Sequence, residues 1–301
     1  MHKLLAGAKS LNNDLHYQID ESESDCCYIP AVCWPCTCDR QSTQAQNTPV
    51  REELQYTLVN PTPIDLPAAY NTYHPSRTDS PFIGDADVFQ IKSDELNWRL
   101  DTEKTVDIHD WIIGNPEFQL GLTNWMDVQI FPQFYSNSGH SGSDFGKSIE
   151  QDVFGDTIVR LKINLLGDES GRLGVGLLSA LKIPTGQGNH VLGRHFLLPV
   201  NYSLPRGFAL FAKPQIDILD QAHSNMGVQW QNSVGLAHTI SGKVSWYVEF
   251  CDIISSEPGN ALGTGFTYRI TPYFSINTNS FFGVAGSVSD HNFLTSFSYT
   301  F

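Results

Sequence analysis

Over most of its length this chain alternates between two kinds of residue. Residues 293–301 set Phe293, Thr295, Phe297, Tyr299 and Phe301 against Leu294, Ser296, Ser298 and Thr300. Residues 156–165 set Thr157, Val159, Leu161, Ile163 and Leu165 against Asp156, Ile158, Arg160, Lys162 and Asn164. Runs 173–183, 243–251 and 262–270 repeat the pattern. A period of two predicts strands with unlike faces. Further strands are predicted at 86–100, 104–122, 126–136, 194–202, 206–218, 226–240 and 273–284, which makes about twelve. The first slips phase near Ser93 and Glu95, which predicts a bulge. The second carries Pro116 in mid-run, which predicts a bulge or a split strand.

The last run decides the solvent. A soluble domain seldom ends on a face that is nearly all aromatic. A barrel in lipid needs such a face outside and small polar groups inside. No run approaches the roughly 18 apolar residues of a spanning helix, so any crossing is by strands. The predicted fold is all-β: an antiparallel up-and-down transmembrane β-barrel of about twelve strands over 86–301, behind an irregular N-terminal segment. A soluble β-sandwich is the competing fold, and its outer faces would be polar.

Short links fall near 123–125, 167–171, 203–207, 241–242 and 271–272. Longer ones fall near 137–153, 185–195, 219–225, 255–260 and 285–291; the link 101–104 is short where a long one is expected. Short turns on a periplasmic rim and long loops outside are the outer-membrane arrangement. Both chain ends would then lie on the periplasmic side, and the localisation expected is the outer membrane.

Residues 1–45 form a separate, Cys-rich segment. Cys26, Cys27, Cys33, Cys36 and Cys38 lie close together, and their spacing fits no zinc knuckle. Local disulfides or incidental thiols, a metal site, and a processed segment all stay open. Residues 28–37 are fairly apolar and precede small residues, as in a cleaved export signal. Asp20, Glu21, Glu23 and Asp25 stand where such a signal carries lysine or arginine. The export signal is therefore degenerate, displaced or missing. Residues 46–85 hold Pro49, Pro61, Pro63, Pro67, Pro75 and Pro81 and read as an irregular tail or lumen-contacting arm.

The net charge of −14 argues against nucleic acid as a partner. The charges and two of the aromatics on the polar faces give the candidate pore lining: Glu117, Asp127, Phe131, Asp156, Arg160, Lys162, Lys182, Lys213, Asp217, Tyr247, Glu249 and Arg269. They either sort permeants by charge or fill a narrow lumen with cross-strand salt bridges. Tyr135, Phe211 and Phe281 share those faces and either line a path for an aromatic solute or plug it. His109, His140, His190, His195, His223, His238 and His291 are scattered without ligand spacing. These histidines therefore give no metal site, and no cofactor is expected. No Gly-x-Ser-x-Gly elbow occurs, and His238 alone has the parity a lipid-facing catalytic His would need. The chain therefore does not read as an enzyme.

Six motifs follow in order: R-T-D-S-P-F (77–82), D-V-F-Q-I-K-S-D (87–94), G-L-T-N leading into M-D-V-Q (121–129), F-G-D-T-I-V-R-L-K-I-N-L (154–165), A-L-K-I-P-T (180–185) and G-K-V-S-W-Y-V-E-F (242–250). Together they resemble the outer-membrane transporter-like family of the meta-pathway of phenol degradation, over roughly residues 77–301. The Cys-rich segment has no counterpart in that resemblance. The resemblance implies a twelve-or-so-stranded barrel admitting small solutes, aromatic or apolar ones among them, with the lipid bilayer as its surroundings. The C-terminal strand ending at Phe301 is then the element offered to the barrel-assembly machinery. A non-conducting barrel that binds a partner through its loops or arm is the alternative, and a lipid-modifying barrel enzyme the third reading.

Overall fold

The computed structural model describes residues 56–63 and 77–301, apart from 104–105, 134, 143–145, 153–154, 168–170, 187–191 and 221–225. These belong to one compact unit, Thr48–Phe301. The five clustered cysteines and much of the proline-rich arm lie outside the described residues.

Among the described residues the strand segments are β1 (Phe89–Glu103), β2 (Val106–Ile113), β3 (Asn115–Thr123), β4 (Met126–Pro132), β5 (Tyr135–Gly142), β6 (Gly146–Asp152), β7 (Thr157–Leu166) and β8 (Leu173–Ile183). They continue with β9 (Gly193–Leu197), β10 (Val200–Ser203), β11 (Phe208–Asp220), β12 (Met226–Ser241), β13 (Val244–Ile254), β14 (Gly259–Thr271), β15 (Phe274–Gly286) and β16 (His291–Thr300). Every pairing is antiparallel, and β16 returns to β1 from Gln90↔Thr300 to Leu100↔His291, which closes the sheet. Four staves are each made of two segments. β1 pairs β2 along one half and β3 along the other. Likewise β5 continues β4, β6 continues β7 and β9 continues β10. The sixteen segments are thus a closed barrel of twelve strands.

The expected irregularities fall close together. Register shifts between Asp94 and Leu96, where the sequence slips phase. Pro116 sits opposite Ser93, one step from that bulge, so its missing N–H interrupts a ladder already disturbed. The break in the stave lies at Gly114, whose φ of 65° ends β2 in a conformation costly for other residues. Within the stretch 137–153 that the sequence suggested was a loop, 137–142 and 146–152 belong to strands: β5 and β6 pair from Ser136↔Asp152 to Gly142↔Gly146. The contrast between the rims is also weaker than expected, since the link 167–172 is longer than 255–258 on the opposite rim.

Burial alternates along each stave and decides which side meets lipid. On β13, Tyr247 and Glu249 are 1% and 2% exposed, while Val248 and Phe250, which alternate with them, are 43% and 39% exposed. Leu262 and Phe266 on β14 are exposed beside buried Ala261. The apolar edges therefore point away from the interior and the polar edges into it, the reverse of a soluble sandwich. Aromatic groups ring both ends of the apolar belt. Phe89, Phe301 and Tyr299 cluster on the rim of short turns, with Tyr299 and Phe301 at 4.7 Å. On the opposite rim Trp98 meets Trp111 at 6.1 Å and Phe282 stacks on His291 at 4.8 Å. A closed barrel with this belt and these girdles resides in an outer membrane.

Candidate functional site

The polar edges converge on a lumen that also holds residues 77–86 of the chain. Thr78, Ser80, Phe82, Ile83 and Ala86 are buried there. Thr78 Oγ1 donates to Glu249 Oε2 at 3.2 Å and shares a hydrogen bond with the Ser233 hydroxyl. The Arg77 amide donates to Glu249 Oε1 at 2.8 Å, and its guanidinium lies 4.5 Å over the Phe281 ring. Asn164 donates to the Pro81 carbonyl at 3.1 Å. The arm thus touches β7, β12, β13 and β15 and spans the lumen. Glycines on β8 make room for it: a side chain at Gly174 would collide with Phe82, and one at Gly176 would crowd Pro81.

Asp79 is the hub of the arm. It accepts from Arg160 Nη1 at 2.8 Å and from Lys213 Nζ at 3.5 Å. Lys213 also donates to the Arg77 carbonyl. Burial alone would push the Asp79 carboxyl up. The charges of Arg160, Lys213, Lys162 and Lys92 outweigh burial and hold it well below the ordinary carboxylate range.

From Asp79 the network runs into the wall. Arg160 Nε donates to Gln129, and its guanidinium lies 4.6 Å over Phe131 and 3.9 Å from Glu117. Lys92 Nζ bridges Glu117 at 3.1 Å and Gln119 at 3.0 Å. Asp127 accepts from Gln119 at 2.8 Å and Gln129 at 2.9 Å, and Lys162 stands opposite it in register. Asp127, Lys162, Glu117 and Lys213 are all buried. In a low dielectric these charges persist only because each faces an opposite charge or several donors.

The remaining candidates form smaller groups. Lys182 pairs with Asp156 at 2.8 Å. Asp217 accepts from Gln215 and Gln231, each at 2.7 Å, and meets His195 Nδ1 at 2.6 Å. Tyr247 donates to Asn279 at 2.9 Å. Arg269 lines a cavity at the short-turn mouth, away from these groups. The Tyr135 side chain lies outside the described residues. His238 faces outward, stacked on Phe208 at 4.1 Å, and its register partners are Phe208 and Trp246, neither a nucleophile.

Several participants were not singled out in the sequence. Lys92 escaped because the bulge beyond it blurs the parity of its strand. Gln119 and Gln129 are uncharged, though they share the parity of Glu117 and Asp127. His195 falls within the predicted strand 194–202, at the edge of the link 185–195, and counted only among the scattered histidines; β9 begins at Gly193. Among the described residues, no group of three or more His, Cys, Asp or Glu could hold a metal ion.

Solved structures similar to this chain include outer-membrane barrels. An outer-membrane channel of Pseudomonas putida F1 superposes with a TM-score of 0.59 at 11% identity, over 73% of this chain and 97% of that one. The beta domain of the Bordetella autotransporter BrkA gives 0.47 at 10% identity, over 71% and 98%. The NanC porin gives 0.44 at 8% identity, over 70% and 98%. At 11% identity the likeness to the Pseudomonas putida channel is one of fold. A search of curated proteins finds no match. The family model described as "Putative MetA-pathway of phenol degradation" matches residues 78–301, a span that takes in the lumenal arm from Thr78 as well as all twelve strands, and the chain belongs to that family.

Proposed function

We propose that this protein is an outer-membrane channel for passive passage of small solutes, aromatic or apolar ones among them, and that the arm regulates the path. The observation that carries the reading is the origin of the obstruction. The lumen wall is polar, and what crosses it is a separate segment, 77–83, held by ion pairs and hydrogen bonds. Such contacts form and break without opening the barrel ladder. The chain needs no cofactor for this and acts without chemistry. The charged lining from Lys92 to Glu249 would order permeants by charge once the arm shifts.

The same arm supports a second reading, a barrel that conducts nothing and presents its arm or loops to a partner. Planar-bilayer recordings of the refolded full chain and of a variant lacking 77–83 separate the two. The channel reading expects small currents from the full chain and larger ones from the deletion. Silence in both, with the barrel folded by heat-modifiable gel mobility, leaves the second reading.

A further inference from the structure

The short-turn end of the lumen opens into a cavity of about 400 Å³. Its wall comes from the 204–207, 242–243 and 272–273 turns and the adjoining ends of β11, β13, β14, β15 and β16, with Phe82 of the arm on its inner side. Lys243 and Arg269 are the charged residues of this lining, and no carboxylate is among them. That is unusual placement in a chain of net charge −14. Deeper in the lumen, Lys92, Arg160, Lys182 and Lys213 all meet carboxylates within 4 Å. Lys243 and Arg269 form no ion pair among the described residues. The backbone holds them together, because the Arg269 amide donates to the Lys243 carbonyl at 2.8 Å. Arg269 also has inward parity, two residues on from Thr267 and four from buried Gly265 on β14.

The rest of the cavity has two characters. Phe82 and the turn residue Tyr273 supply apolar area. Ser245, Thr267, Ser275, Ser298 and Thr300 supply hydroxyls. Two cations next to aromatic area, in a space larger than one benzene ring, suit a ligand with one anionic end and one apolar end. We propose that this vestibule binds a small organic anion, an aryl carboxylate in chemical class. Its carboxylate sits on Arg269 and Lys243, and its ring lies against Phe82. The inference names a ligand class for the mouth of the proposed channel, but binding there needs only the folded barrel.

Calorimetric titration of the detergent-solubilised full chain tests it with benzoate, benzyl alcohol, benzylammonium and inorganic phosphate. Benzoate is expected to bind roughly tenfold or more tightly than its neutral and cationic counterparts, and K243Q/R269Q to lose about as much. Phosphate is expected to bind more weakly than benzoate, because it leaves the aromatic side unused. Equal binding of the three aryl probes overturns the proposal, as does unchanged benzoate affinity in the folded double variant. Phosphate binding without benzoate binding also overturns it and points to a simple anion or lipid-headgroup contact. Benzoate binding by a protein that carries no current keeps this site and removes the channel reading. Current without benzoate binding does the opposite.

Discussion

Asp79 reaches Arg160 at 2.8 Å from a segment that precedes the first strand, and the same carboxylate also meets Lys213. Three parts of the chain remote in sequence are thereby joined inside the lumen. The arm's position depends on a carboxylate whose two cationic partners belong to the wall.

Removing that charge should loosen the arm while sparing the barrel. Asp79→Asn keeps the volume but leaves Arg160 and Lys213 without their shared anion. Breaking one partner of such a pair costs about 3 kcal/mol, a large share of what a short arm can gain. We expect larger and more frequent current steps in planar bilayers. Limited trypsin digestion should also cut more readily after Arg77. Unchanged conductance and unchanged protection of Arg77 would show that the arm is held by its other contacts.

Acid should act on this contact in one direction. The Asp79 carboxyl is depressed in the fold, so its contribution is fully present above its unfolded value of about 3.9. It is lost as pH falls from there toward the depressed folded value. The difference in Tm between the parent protein and Asp79→Asn should therefore stay constant from about pH 8 to about pH 5 and narrow below about pH 4. A difference that shrinks already near neutral pH would assign the stabilisation to another group.

Gly174 tests the arm by shape instead of charge. Its missing Cβ is filled by the Phe82 ring, with Pro81 beside it. Gly174→Val keeps a β-compatible residue on β8 but forces Phe82 aside, and overpacking of this kind costs about 1–3 kcal/mol. Here too the expected readout is higher conductance and faster cleavage at Arg77. The pairing of β8 with β7 should survive, so gel mobility of the folded form should not change.

How much of this was legible in the sequence follows from what alternation can report. Period two marks a strand only where its two faces differ, so the wall from Thr157 onward and the strand ending at Phe301 were plain. The stretch Y-S-N-S-G-H-S-G of β5 has no apolar face, and its pairing with β2 and β6 was therefore invisible. Parity also gives the inward side for Glu117, Asp127, Arg160, Lys162 and Glu249. It could not pair them, because Arg160 with Asp79 and Thr78 with Glu249 are contacts between the arm and the wall, set by closure and not by spacing. Lys92 lies in a strand whose bulge scrambles the count, and its register with β3 and β16 resolves its side.

The last prediction addresses the outward face, on which every other inference rests. Val248 is 43% exposed on β13, between buried Tyr247 and buried Glu249, and stands opposite Thr264 on β14. If lipid covers it, Val248→Arg places a guanidinium in hydrocarbon near mid-strand, at a cost of about 2–4 kcal/mol. If water covers it, the same change is worth at most a few tenths of a kcal/mol. Guanidinium titration of folding into phosphatidylcholine vesicles measures the difference directly. Ser275→Arg on the turn-side end of β15 serves as a control for charge alone, since Ser275 lines the wet mouth beside Ser298. A large loss for Val248→Arg with a small one for Ser275→Arg is the expected result. Equal losses would mean that the apolar belt does not meet lipid at this height.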